Sequence, residues 1–250
     1  MIRRPARSTL FPYTTLFRSG AGVTAARSGP DGVAVTVAKD GAEETLNCEK
    51  VLVAIGVQPN IEDLGLESMG ITIQDGSIQI DDVMLTNVAN VYAIGDVTGK
   101  LALAHVASAQ AATAVEHMAG LETQPLDYGS IPRATYCNPQ IASFGLTEAQ
   151  AKDLGHDVQI GTFNVQANGK ALAMGESEGI VKLVVDGKYG ELLGAHMIGP
   201  EVTELLGELS LATVLEGTTL ELGWAIHPHP SISEMLKEAA LSAQGRAIHM

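Results

Sequence analysis

From Val33 onward larger and smaller side chains alternate: Val33, Val35 and Val37 interleave with Ala34, Thr36 and Ala38. A period of two predicts a strand with one buried face, and Asp40-Gly41 predicts a hairpin turn after it. Val51 to Ile55 is apolar without interruption and ends at Gly56. That predicts a strand buried on both faces, its carboxyl end close to a ligand; an ordinary core strand with a turn glycine gives the same pattern. Val91-Tyr92-Ala93-Ile94 repeats the design and ends in Gly95-Asp96. Between them, Asp75-Gly76 predicts a second hairpin.

Leu101-Ala102-Leu103-Ala104-His105 leads into a helix of small residues reaching Met118, with Gly120 as its stop. From Ile131 the pattern turns to strands, at Arg133 to Phe144, Val158 to Val165, Ile180 to Val185 and Leu192 to Ile198, with Asp186-Gly187 as a turn. Thr147-x-x-Gln150 is a capping box opening a short helix that Gly155 closes. Two helices follow: Glu204 to Leu215, with Leu205, Leu209 and Ala212 on one face, and Ser231 to Ala243, ending at Gly245. The order predicts an α/β chain with an α+β C-terminal domain.

Composition narrows the chemistry. Among 250 residues, 29 acidic against 15 basic side chains give a net charge of −14, which disfavours nucleic acid as a partner. No apolar run approaches the roughly 20 residues of a membrane span. The two cysteines, Cys48 and Cys137, form neither C-x-x-C nor C-x4-C, so a reducing, cytoplasmic setting is expected and the chain carries no redox dithiol of its own. Cys137 is expected as a buried small hydrophobe. His117, His156, His196 and His249 have no metal-ligand spacing and are expected at the surface or in packing.

Residues 9–19 read TLFPYTTLFRS, holding two of the four phenylalanines (Phe11 and Phe17) and no acid. The segment back-translates into a common sequencing-adapter oligonucleotide. Residues 1–19 are therefore expected to be an assembly artefact, with the natural chain entering mid-domain near Gly20. A basic presequence carrying Arg3, Arg4, Arg7 and Arg18 is the competing reading.

The most chemically pointed stretch is His227-Pro228-His229-Pro230-Ser231-Ile232-Ser233-Glu234. It sets a histidine just before a helix and a carboxylate in that helix's first turn. Such a pair fixes one imidazole tautomer and raises its basicity, as proton shuttling requires. Ser231-x-x-Glu234 is equally a capping box, and a histidine between prolines is equally a rigid turn.

The H-P-x-x-x-E spacing followed by Met235-Leu236-Lys237-Glu238-Ala239-Ala240 resembles the C-terminal active-site segment of dihydrolipoamide dehydrogenases, within the pyridine nucleotide-disulfide oxidoreductases. VLVAIGVQPN (51–60) is similar to the end of that family's NAD-binding domain, and YAIGDV (92–97) to its second flavin-contacting motif. The resemblance implies NAD contact at Ala54, Ile55 and Gly56, with Val57 where many members carry a basic residue. It implies an Asp96 contact to the ribityl chain of FAD, and flavin contact at Ala102, Leu103, Ala104 and His105. It makes His229 the acid/base for a substrate thiol and Glu234 its orienting partner, serving the active site of the opposite subunit in a homodimer. A lipoyl-bearing protein of a 2-oxoacid dehydrogenase or related complex would be the partner.

The same resemblance divides the chain into residues 20–58, the end of an NAD-binding domain; 59–126, a central FAD-contacting region; and 127–250, a dimerisation domain. It describes partial NAD- and FAD-binding Rossmann-like regions followed by the reductase dimerisation domain. No G-x-G-x-x-G follows a strand, so neither dinucleotide pyrophosphate site is complete. A glutathione-reductase-like fragment and a non-catalytic dimerisation module remain the alternatives; the paired histidines favour the dihydrolipoamide type.

Overall fold

The computed structural model describes residues 17–249. The expected artefact at 1–19 therefore lies almost wholly outside the described residues. The chain divides after Gln58 into two units.

The first unit is an antiparallel sheet of β1 (Gly22–Gly29), β2 (Gly32–Lys39) and β3 (Ala42–Cys48) in that order. Asp40 and Gly41 both take positive φ, 51° and 82°, the twist that a two-residue hairpin between Lys39 and Ala42 requires. Val35 and Val37 are buried as the alternation predicts. The apolar run after it behaves otherwise. Val51 to Gln58 forms no strand, and Leu52, Val53, Ile55 and Val57 are exposed. A strand buried on both faces needs neighbours on each side, and no described strand pairs with this segment.

The second unit begins with a hairpin of β4 (Ile73–Gln74) and β5 (Ser77–Ile78) turning at Asp75-Gly76, beside a small core of Leu66, Ile71, Ile78 and Ala93. The expected strand at Val91 to Asp96 is reduced to one bridge, Tyr92 to Leu85. Gly95 (φ 76°) then turns the chain into a 3-10 helix, Gly95–Thr98, because its amide donates to the Gln110 side chain at 2.6 Å rather than to a partner strand. Helix α1 (Ala104–Met118) ends as predicted: Gly120 is left-handed, and the Leu121 amide reaches back to the Glu116 carbonyl.

The rest is one antiparallel sheet of β6 (Arg133–Thr135), β7 (Gln140–Gly145), β8 (Val158–Asn164), β9 (Ile180–Asp186) and β10 (Leu192–Gly199), in the order β6-β7-β10-β9-β8. Helices α2 (Glu148–Asp153), α3 (Gly169–Met174), α4 (Leu206–Val214), α5 (Thr219–Trp224) and α6 (Glu234–Ala243) complete it. The Thr147–Gln150 capping box is fully formed at the start of α2. Asp186 turns the chain toward β10 by accepting the Lys188 and Tyr189 amides, both at 2.9 Å.

One cross-strand row seats the last helix. Phe144, Ala195, Leu183 and Gly161 stand opposite one another across β7, β10, β9 and β8, and all are buried. Met235, Leu236, Ala239 and Ala240 form the buried face of α6 and join the same core. Full burial of a methionine or leucine side chain contributes about 1.5–3 kcal/mol. Gly161 permits the approach, since a Cβ there would meet the Ala239 carbonyl. The sheet thus fixes α6, and α6 fixes Glu234.

Candidate active site

The chain enters the site through Ala225 to Pro230. Two prolines restrict this segment before α6 begins, and the His229–Pro230 peptide is cis. His229 Nδ1 lies 2.9 Å from Glu234 Oε1 and 3.2 Å from Oε2. A carboxylate only accepts, so Nδ1 carries a proton, and in the neutral ring the lone pair is then on Nε2. The His229 side chain is 77% exposed, which leaves Nε2 open to a visiting group. Burial pushes the Glu234 carboxyl up, but the Ser231 amide at 2.9 Å and the His229 ring outweigh it and hold the carboxyl below its usual value. The capping box expected there is half formed. Glu234 reaches back to the Ser231 amide, while the Ser231 hydroxyl pairs with that of Ser233.

A cleft of about 180 Å³ lies over this pair, lined by Asn168, His227, Lys237, Glu238 and His249 among others. Two further imidazole–carboxylate pairs border it. His227 Nε2 sits 2.8 Å from Glu208 Oε1 with its side chain 6% exposed. The Glu208 hydrogen bond raises the His227 pKa against the opposing effect of burial. Glu238, buried in α6, accepts the amides of Ile248 and His249 and the His249 ring, each at 3.0 Å. The tandem histidines are visible in the sequence, but the partners Glu208 and Glu238 are not. His249, expected as surface or packing, is exposed and borders the cleft.

The residues expected to face flavin form a separate group. Asp96 is exposed at the 3-10 turn, with its carboxylate in no hydrogen bond among the described residues. Ala102 and Leu103 lead into α1, which opens without a side-chain cap; the Val106 and Ala107 amides donate to the Leu103 carbonyl, which leaves those of Ala104 and His105 with no bond among the described residues. A free carboxylate and an uncapped helix start suit a polyhydroxyl chain beside an electron-rich ring, so these residues fit a flavin. The His105 ring is engaged elsewhere: Nε2 donates to the Pro132 carbonyl at 3.0 Å. Ala54, Ile55 and Gly56 lie in the exposed segment of the first unit, and nothing stands within 4 Å of where a Gly56 Cβ would be. The described residues form no cradle for a nicotinamide there. None of Asp96, Ala102, Leu103, Ala104 and His105 lines the cleft at His229. Cys137, expected to be buried, is exposed; the irregular stretch between β6 and β7 leaves it outside the core, its thiol 3.1 Å from the Pro139 carbonyl. No group of metal-ligating side chains is present among the described residues.

A histidine held by a glutamate, and in a separate part of the same unit a turn and helix start of a kind that suits a flavin, are the features to compare with known proteins. Residues 16–111 match the pyridine nucleotide-disulphide oxidoreductases and residues 131–240 match their dimerisation domain. The chain belongs to that family. It is 50% identical over 219 residues to the dihydrolipoyl dehydrogenase of Bacillus subtilis, covering 88% of this chain and 46% of that protein. For the dihydrolipoyl dehydrogenase of Mycobacterium leprae the values are 52% over 219 residues, 87% and 47%. The chain spans about half the length of the curated relatives it matches. Among solved structures, LpdA of Mycobacterium tuberculosis superposes with a TM-score of 0.81 at 28% identity, over 88% of this chain and 48% of that one. The HOCl-induced flavoprotein disulfide reductase RclA of Escherichia coli gives 0.77 at 26% identity, over 86% and 49%.

Proposed function

We propose that the chain is the C-terminal part of a flavin-dependent dihydrolipoamide dehydrogenase, with residues 20–58, 59–126 and 127–250 as parts of its NAD-binding, FAD-contacting and dimerisation regions. The observation that carries this reading is the His229–Glu234 pair, 2.9 Å apart with Nε2 open, in a chain half identical to dihydrolipoyl dehydrogenases. His229 Nε2 accepts the proton of a dihydrolipoamide thiol, and Glu234 stabilises the imidazolium that results. The thiolate so formed is the nucleophile that a redox disulfide, outside this sequence, requires. Asp96 and the entry to α1 at Ala102 to His105 would hold FAD, which supplies the two-electron path from dithiol to nicotinamide. NAD as acceptor, with Ala54, Ile55 and Gly56 as its contacts, is supported by the family rather than by any cradle in the exposed segment.

The protein is proposed to act as a cytoplasmic homodimer, with His229 serving the partner's active site and a lipoyl-bearing protein as its substrate carrier. The dimerisation-domain match supports the homodimer, together with exposed Leu211, Val214, Leu215, Trp224 and Ile226, an apolar set suited to a like surface. Among the described residues no helix is long and apolar enough to cross a membrane. The test is lipoamide turnover with NAD by the full-length gene product, lost on His229→Ala. Turnover of glutathione disulfide instead would favour the glutathione-reductase-like reading. Dimerisation without any turnover would favour the non-catalytic module.

A further inference from the structure

We infer that Asn168 is a positioning residue for the His229–Glu234 pair, acting through the Ser231 peptide; the inference rests on the reading of that pair as the acid/base. Asn168 stands between β8 and α3, 63 residues from Ser231, and is 3% exposed. Its carboxamide is used at both ends. Oδ1 accepts the Ala171 amide at 2.9 Å and caps α3, while Nδ2 donates to the Ser231 carbonyl at 2.9 Å. The amide on the other side of Ser231 donates to Glu234 Oε2, also at 2.9 Å, and Oε1 of the same carboxylate holds His229 Nδ1.

Capping does not explain the choice of residue. A cap needs only an acceptor, which serine, threonine or aspartate supplies equally well. The donor half of the amide is surplus to that task, and it is the half that reaches the loop. Asn168 also lines the cleft, so the group fixing Ser231 borders the space where a substrate would stand. Ser231 is held from both sides, and its amide sets the direction from which the Glu234 carboxylate meets His229. The packing of α6 fixes the Glu234 backbone and the Glu208 contact holds the loop at His227, while Asn168 is the side chain that holds the Ser231 carbonyl between them.

The experiment uses two substitutions that keep an acceptor for α3 and remove the donor to Ser231: Asn168→Ser and Asn168→Asp. In this 250-residue chain, nitrogen-15 spectra of the imidazoles report which His229 nitrogen carries the proton. The unsubstituted chain is expected to show the Nδ1–H form. Both variants are expected to keep their helix content and to show a mixture of tautomers. In the full-length enzyme kcat for dihydrolipoamide is expected to fall roughly ten- to hundredfold, with KM for NAD unchanged, because small misplacement of a reacting group costs rate. Aspartate keeps the volume and the cap, so it carries the test if the serine variant does not fold. A His229 tautomer unchanged in a folded variant overturns the inference. Absence of lipoamide turnover in the unsubstituted full-length enzyme would instead overturn the proposed function, and the spectra would still decide the role of Asn168.

Discussion

His227 and Glu208 form a largely buried ion pair two residues before His229, tying the site loop to α4 through a 2.8 Å contact. Glu208 raises the folded-state pKa of His227, so the stabilisation is complete below the ordinary histidine value and is lost as pH rises through the raised one. Glu208→Gln should flatten the dependence of stability on pH around and above neutrality. At pH 6 it should cost about 1–2 kcal/mol, less than a fully buried pair because Glu208 is one-third exposed. Urea unfolding at several pH values between 5.5 and 8.5 measures both; identical curves for the two proteins would remove the anchor.

Glu234→Gln keeps an amide oxygen for the Ser231 amide but withdraws the charge facing His229. Turnover by the full-length enzyme should fall by roughly a hundredfold, within the usual worth of acid–base catalysis. The melting temperature should move by only a few degrees. Equal loss of stability and rate would make Glu234 a helix cap and nothing more.

Glu148 bridges Lys152 at 2.6 Å and Lys182 at 2.7 Å, linking α2 to β9. Its hydrogen bonds to Lys152 and Lys182 lower its carboxyl to about 2. The contribution is present above the unfolded carboxylate value near 4.5 and is lost as pH falls toward 2. Glu148→Gln should therefore lower the melting temperature at neutral pH and by only a small fraction of that near pH 2. Added salt should shrink the difference, since the pair is accessible to solvent. Thermal melts across this range test it, and a difference as large at pH 2 as at neutral pH would count against the bridge.

Gly161→Ala places a methyl group against the Ala239 carbonyl and forces α6 away from β8. Overpacking of this kind costs about 1–3 kcal/mol. Urea midpoints would report it, and the His229 ring signals should shift with α6. An unchanged midpoint would show that the helix can yield without loss.

Several elements along the chain are legible in the sequence because local chemistry and global packing agree there. Thr147 and Gln150 form the expected box, the Asp40-Gly41 and Asp75-Gly76 turns take the positive φ their residues favour, and the β8–β10 strands lie close to their apolar runs. Val51 to Ile55 misleads because an apolar run specifies burial only where other strands receive it. Val91 to Asp96 misleads because the Gly95 amide finds a side chain, Gln110, in place of a strand. At the site, His229 and Glu234 are five residues apart and readable as a pair. Glu208, Glu238 and Asn168 meet their partners across turns and between elements, and no periodicity encodes those meetings. Asn168 passes unnoticed in the sequence, and both its bonds, to Ala171 and to Ser231, emerge only in the structure.

The seat that Glu238 provides for Ile248 and His249 also makes the end of the described chain a handle on the cleft. A fluorophore carried on a cysteine in place of Ile248, which lines the cleft, would stand at the rim of the space above His229. Its emission would then report when that space fills, giving an optical readout of occupancy that needs no turnover.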